Sequence, residues 1–143
     1  MRGIDMDKKI YITADNFKKL QEIIDNLRLL ADVLEKESLD KLEAELRRAT
    51  IIDQDKASDN VVTMNSTVCL MDIESGKEET YKLVYPSDAN IEENKISVLA
   101  PIGTAIIGYK TGDVVEWRVP AGARKILIKE IIHQPENGNS SSF

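Results

Sequence analysis

The chain of 143 residues has one cysteine, one histidine and no run approaching the ~20 consecutive apolar residues that span a bilayer. A single cysteine, Cys69, excludes an internal disulfide. With His133 as the only histidine, it also excludes a zinc site built on several Cys or His ligands. Cys69 lies in an apolar strand pattern, where thiols serve as packing residues, and no G-x-S-x-G is present. The glycines are few and scattered: Gly76, Gly103, Gly108, Gly112 and Gly122 stand singly at turns and never form a phosphate-cradling cluster. No cofactor, metal or nucleotide site is therefore expected. Positive charge is also short. With 19 Lys and Arg against 25 Asp and Glu, the net charge of -6 argues against phosphate-driven nucleic-acid binding by the whole surface. Any nucleic acid nearby is expected to be held by another protein. Residues 1–9 are charged and lack the apolar stretch of a signal peptide, so the expected address is cytoplasmic, away from membranes.

What is present, 42% hydrophobic and 31% charged residues, describes an ordinary globular protein with one good core plus an arm. A brief β-branched run, residues 9–13, turns polar at Thr13-Ala-Asp-Asn. From there Phe17, Leu20, Ile23, Ile24, Leu27, Leu30 and Leu34 recur at spacings of three and four, predicting a helix with Thr13 as its N-cap. Ser38 precedes Leu39, Leu42, Leu46 and Ala49 at the same period, predicting a second helix over residues 39–49 with Arg47 and Arg48 at its dipole-favoured end. The link between them is expected at Glu35-Lys36-Glu37. Two arrangements follow: a projecting antiparallel hairpin, or two helices packed on the sheet behind them.

Residues 53–60 are polar, without apolar periodicity, and read as a linker. Beyond them the period becomes that of strands: residues 67–73, a Ser75-Gly76 turn, then residues 80–85. A loop over 86–94 leads to a short strand at 96–99, and Pro101 opens a helical turn that Gly108 ends. A second hairpin joins residues 114–119 to 124–132, with Ile126, Ile128 and Ile132 alternating toward a core shared with Trp117. The tail, 135–143, reads as flexible. The fold class is thus α+β: an N-terminal strand and short helical hairpin (1–52), a linker (53–60), an antiparallel β domain with one short helix (61–134), and the tail.

Four segments, VVTMNS at 61–66, LVYP at 83–86, SVLAPIG at 97–103 and GDVVEW at 112–117, occur in an order that resembles the FKBP-like C-terminal domain of the GreA/GreB transcript-cleavage factors. They are most similar to the family's short-coiled-coil branch, the regulators of nucleoside diphosphate kinase. The resemblance covers the last two thirds of the chain well and the helical part only in layout. It implies an RNA polymerase ligand. Gre factors dock at the rim of the polymerase secondary channel and reach inward with a long coiled coil, whose tip carboxylates help hold a second Mg²⁺ for cleavage of backtracked RNA.

The resemblance places polymerase contact at Leu99, Ala100, Pro101, Ile102 and Gly103. Beside it stands a packing account, in which Pro101 caps a short helix and Ile102, Ile106 and Ile107 fill the core. Tyr109 and Lys110 add an aromatic and a cationic contact. Carboxylates near the bend, Asp32, Glu35, Glu37 and Asp40, are either solvated or in contact with basic channel walls. A second helix of eleven residues makes an arm of about 17 Å, and a Gre arm is two to three times longer. A non-enzymatic, monomeric polymerase-binding regulator that competes with Gre-type factors is the expectation, with a short-armed cleavage factor as the alternative. The FKBP-like fold also houses prolyl isomerases, but Tyr81, Tyr85 and Trp117 fall at strand positions that packing explains, and fold alone does not confer the chemistry.

Overall fold

A computed structural model describes residues 9–53, 60–120 and 122–133. Most of the expected linker and all of the expected tail lie outside the described residues. In chain order the elements are β1 (Tyr11–Thr13), α1 (Ala14–Arg28), α2 (Val33–Arg48), β2 (Thr50–Ile52), β3 (Thr67–Asp72), β4 (Glu78–Val84), two 3-10 turns (Pro86–Asp88 and Ile91–Glu93), β5 (Lys95–Ser97), α3 (Pro101–Ile106), β6 (Val114–Val119) and β7 (Gly122–His133). This is the α+β architecture expected from the sequence.

Thr13 caps α1 as its sequence predicts, its hydroxyl accepting from the Asn16 N–H at 3.1 Å. The second helix differs from expectation. It begins at Val33, not after Ser38, because Asp32 and Glu35 form a capping box: Asp32 Oδ1 accepts from the Glu35 N–H at 2.8 Å and Glu35 Oε1 from the Asp32 N–H at 3.0 Å. Two orphan helix donors are satisfied at once, so the chain bends at residues 29–32 and Glu35-Lys36-Glu37 is helical. At 16 residues, α2 is about 24 Å long.

Strands β1 and β2 pair in parallel, Tyr11 opposite Thr50 and Thr13 opposite Ile52, so the strand before the hairpin is zipped to the strand after it. The Tyr11 N–H donates to the Gly108 carbonyl, the Gly108 N–H to Val62 and the Val62 N–H to Tyr109, stitching this two-stranded sheet to the second half of the chain. Leu20 and Ile24 of α1 and Leu39, Leu42 and Leu46 of α2 enter one apolar core with Val62, Met64, Val68, Leu83 and Ile128. The helices are therefore packed over their lower turns, and only the bend stands out. Within the pair, Arg28 Nη2 reaches Asp40 at 2.7 Å and Glu43 at 3.0 Å, while Gln21 donates to the other oxygen of Glu43 at 3.0 Å. At the base Arg48 lies over the Tyr109 ring and donates to its hydroxyl at 2.7 Å.

The main sheet has the order β5-β4-β3-β7-β6 and is antiparallel except where β5 runs parallel to β4. The alternation read for β7 breaks near its end. Ile126 and Ile128 are buried, whereas Ile132 is exposed and Ile131 packs against the core in its place. Register shifts between Thr67 and Val68 and between Cys69 and Leu70 insert extra β7 residues, and each bulge reverses the facing of the residues beyond it.

Helix α3 sits on β5 with almost no clearance at Gly103. A Cβ there would overlap the Ser97 carbonyl oxygen and lie 3.0 Å from Val98 Cα, both backbone atoms. Gly103→Ala is therefore expected to lower unfolding free energy by about 1–3 kcal/mol or more, the usual cost of forced overpacking, as read by urea denaturation.

The hairpin clamp gives a pH signature. Arg28's hydrogen bond, then Gln21's, holds the Glu43 carboxyl below its ordinary value of 4.5. A depressed carboxylate stabilises the fold fully above about pH 4.5 and loses that contribution as pH falls through the lower folded value. Glu43→Gln is expected to melt below the native protein at pH 7, with the gap closing in melts run at successively lower pH below about 4.5. Asp72, held low by Arg124, and Glu78, held low by Lys129, titrate in both proteins and cancel.

Candidate functional site

The segment from Leu99 to Gly103 is a strand-to-helix corner fixed by its own neighbours. The Ser97 hydroxyl accepts from the Leu99 N–H at 2.9 Å, and the Ser97 carbonyl accepts from the Ala100 N–H at 3.0 Å. The Thr104 hydroxyl reaches back to the Val98 carbonyl at 2.7 Å. Pro101 takes the first helical position, where its missing N–H costs nothing. Of the five residues expected to make contact, Pro101 is exposed and Leu99 and Ala100 are half-buried, while Ile102 and Gly103 are buried. The corner thus presents Leu99, Ala100 and Pro101 outward, and Ile102 and Gly103 hold them in place. Ser97 and Thr104, which the sequence reading passed over, fix the corner's backbone; both stand in the same short stretch as hydroxyl residues flanking the proline.

Tyr109 lines the wall of the cleft between α2 and α3. It is buried, with its hydroxyl taken by Arg48. Lys110 stands over the Tyr11 ring at 4.6 Å.

The four bend carboxylates have separate duties. Asp32 and Glu35 close the capping box, Asp40 pairs with Arg28, and Glu37 is solvent-exposed on α2. Among the described residues no three acidic, Cys or His side chains gather as a metal-holding group. Asp32 and Glu35 each give one carboxylate oxygen to a backbone N–H, and Asp40 gives one to the Arg28 guanidinium.

Aliphatic side chains dominate the bend instead. Leu29 is 83% exposed, Leu30 93%, Val33 75% and Leu34 73%. Leu30 and Leu34 were expected in the core stripe of the first helix; the chain turns before either can complete it. Burial of one such side chain is worth about 1.5–3 kcal/mol. Four within six residues form a patch of the kind that marks an interaction surface.

Folding brings this bend beside the Leu99 corner. Leu27, Leu30, Ala31, Glu35, Ser38, Leu39 and Leu99 line one groove of about 320 Å³. On the other side of Leu99 a second groove, about 450 Å³, runs between α2 and α3 past Ser38, Lys41, Pro101, Ala105 and Trp117. Leu99 and Ser38 border both. Features read from the sequence as two separate sites, the bend and the corner, are therefore one continuous surface.

A third cleft, about 290 Å³, lies on the sheet face over Leu70, Ile102 and Ile126, between Tyr81 and Trp117, with the Asp72–Arg124 ion pair along it. Tyr81 and Trp117 also pack against the core, as their strand positions imply. Desolvation, reinforced by Glu79, pushes the Tyr81 phenol up to about 12, so it stays a proton donor at neutral pH.

Comparison with known proteins gives this surface its context. Residues 57–133 match the family model "Transcription elongation factor, GreA/GreB, C-term", and residues 8–52 match "Rnk N-terminus". Transcription elongation factor GreA of Syntrophus aciditrophicus is 39% identical over 97 residues, 68% of this chain and 60% of that protein, so the match spans less than two thirds of its length. The regulator of nucleoside diphosphate kinase from Escherichia coli K12 is 37% identical over 98 residues, covering 68% of this chain and 72% of that protein. A solved prokaryotic transcription elongation factor GreA/GreB from Nitrosomonas europaea superposes with a TM-score of 0.71 at 37% identity, over 87% of this chain and all of the other. With residues 57–133 matching the family model, a Rnk-type N-terminal segment and a shared fold, the chain belongs to the GreA/GreB transcription elongation factor family.

Proposed function

We propose that this protein binds RNA polymerase at the rim of the secondary channel and excludes longer-armed Gre-type factors, without stimulating RNA cleavage. The corner at Leu99, Ala100 and Pro101 is the grip, and the hairpin occupies the channel mouth. One observation carries the reading: the arm is short. Helix α2 gains five residues over the sequence expectation, about 8 Å, and still falls short of an arm two to three times the ~17 Å first inferred. A carboxylate must sit ~2.0–2.1 Å from Mg²⁺, so a deficit of many ångströms cannot be made up by side-chain length. Asp32 and Glu35 are moreover committed to the helix start. Competition then follows from occupancy alone: two ligands of one rim site cannot be bound together.

Polymerase stalled in a backtracked complex tests this. Adding the protein is expected to leave cleavage at its intrinsic rate and to slow the cleavage that an added long-armed GreA produces; a rise above the intrinsic rate would establish the short-armed cleavage factor instead. Leu99→Asp is expected to weaken polymerase binding about tenfold or more, ~1.4 kcal/mol, when measured below its melting temperature, which falls modestly because Leu99 packs partly on the core, and Pro101→Ala to weaken binding less. Ile102 is unsuited to such a test, because a buried aspartate there would unfold the protein.

A further inference from the structure

We infer that the hairpin bend is an apolar docking foot whose occupant is an amphipathic helix of the polymerase, with an apolar face flanked by lysine or arginine. This rests on the polymerase-binding reading above and names the partner chemistry of its second contact. Three observations select that occupant. Leu29, Leu30, Val33 and Leu34 are largely exposed at the bend, far from the scattered exposure normal for single surface aliphatics. Leu30 of the patch also lines the groove that Leu27 and Leu39 share with Leu99, so a partner gripping the Leu99 corner meets the bend next. A groove between a helical hairpin and a neighbouring corner suits the apolar face of a helix.

Charge then chooses among candidates. Asp32, Glu35 and Glu37 lie among the aliphatic side chains, against Lys36 and an Arg28 already paired with Asp40 and Glu43, on a chain of net charge -6. A second copy seated tip to tip would set these carboxylates against their own equivalents, and an anionic lipid surface would meet the same repulsion. An apolar strip edged by cations satisfies both components, the aliphatic side chains by burial and the carboxylates by pairing. In the long-armed factors the resemblance assigns the tip to metal-holding carboxylates. Here the outermost side chains are aliphatic, and they bind instead of assisting chemistry.

The double variant Leu30→Asp/Leu34→Asp tests the inference against core RNA polymerase in a fluorescence titration. Both residues are exposed, and an aspartate at Leu34 falls in the first turn of α2, where the helix dipole favours it, so the variant is expected to melt with the native protein. Affinity is expected to fall tenfold or more. A photocrosslinker placed at Leu34 is expected to capture a polymerase segment with apolar residues at helical spacing beside Lys or Arg. Unchanged affinity of the double variant, while Leu99→Asp still loses binding, would overturn the foot and leave the corner intact. A native dimer in sedimentation that the double variant abolishes would assign the patch to a second copy and overturn it as well. No binding by the native protein would remove the polymerase reading, and the foot with it.

Discussion

The hairpin cannot move independently of the sheet, because the two share one core. Leu20, Ile24, Leu39, Leu42 and Leu46 lie fully buried among side chains of the β domain, at about 1.5–3 kcal/mol each. Helices of 15 and 16 residues are marginal alone in water, so this burial is also what makes them helical. The parallel β1–β2 pair closes the hairpin's base, and Arg48 on Tyr109 ties the end of α2 to the β domain. Every surface property discussed above follows from that anchoring. The bend is carried to the side of the Leu99 corner, and the grooves on either side of Leu99 exist only because α2 lies alongside α3.

Most polar groups at the bend are engaged with the fold, and the aliphatic ones stand in solvent. That inverts the usual assignment, in which charged surface is read as functional and aliphatic residues as core. Asp32 and Glu35 satisfy backbone donors, and Asp40 and Glu43 hold Arg28 across the pair. The aliphatic side chains around them, Leu29, Leu30, Val33 and Leu34, stand largely in solvent.

The corner shows how buried and surface residues interleave at single-residue resolution. SVLAPIG reads as one motif, yet its side chains divide by burial: Val98, Ile102 and Gly103 inside, Leu99 and Pro101 at the surface. Gly103 is there for want of space, since the helix backbone rests directly on β5. Ser97 and Thr104 complete the corner through hydroxyl-to-backbone bonds.

Much of this was legible in the residues. Apolar spacing gave both helices, Thr13 gave the first cap, and turn residues gave the strands and the corner, because each is a local preference that the chain states within a few positions. The second helix start was also written locally, as Asp32-x-x-Glu35, and lost to Ser38 only because both are acceptable caps; the reciprocal pair of hydrogen bonds decides between them. Three things were not readable at all. The bulges that expose Ile132 depend on register with β3. The burial of Tyr109 depends on Arg48, 61 positions away. The union of bend and corner depends on the shared core bringing Leu30 and Leu99 to one groove. Sequence determined the elements and the family motif through short-range chemistry; tertiary structure alone decided which side chains remain outside, because burial is a property of what the rest of the chain places over them.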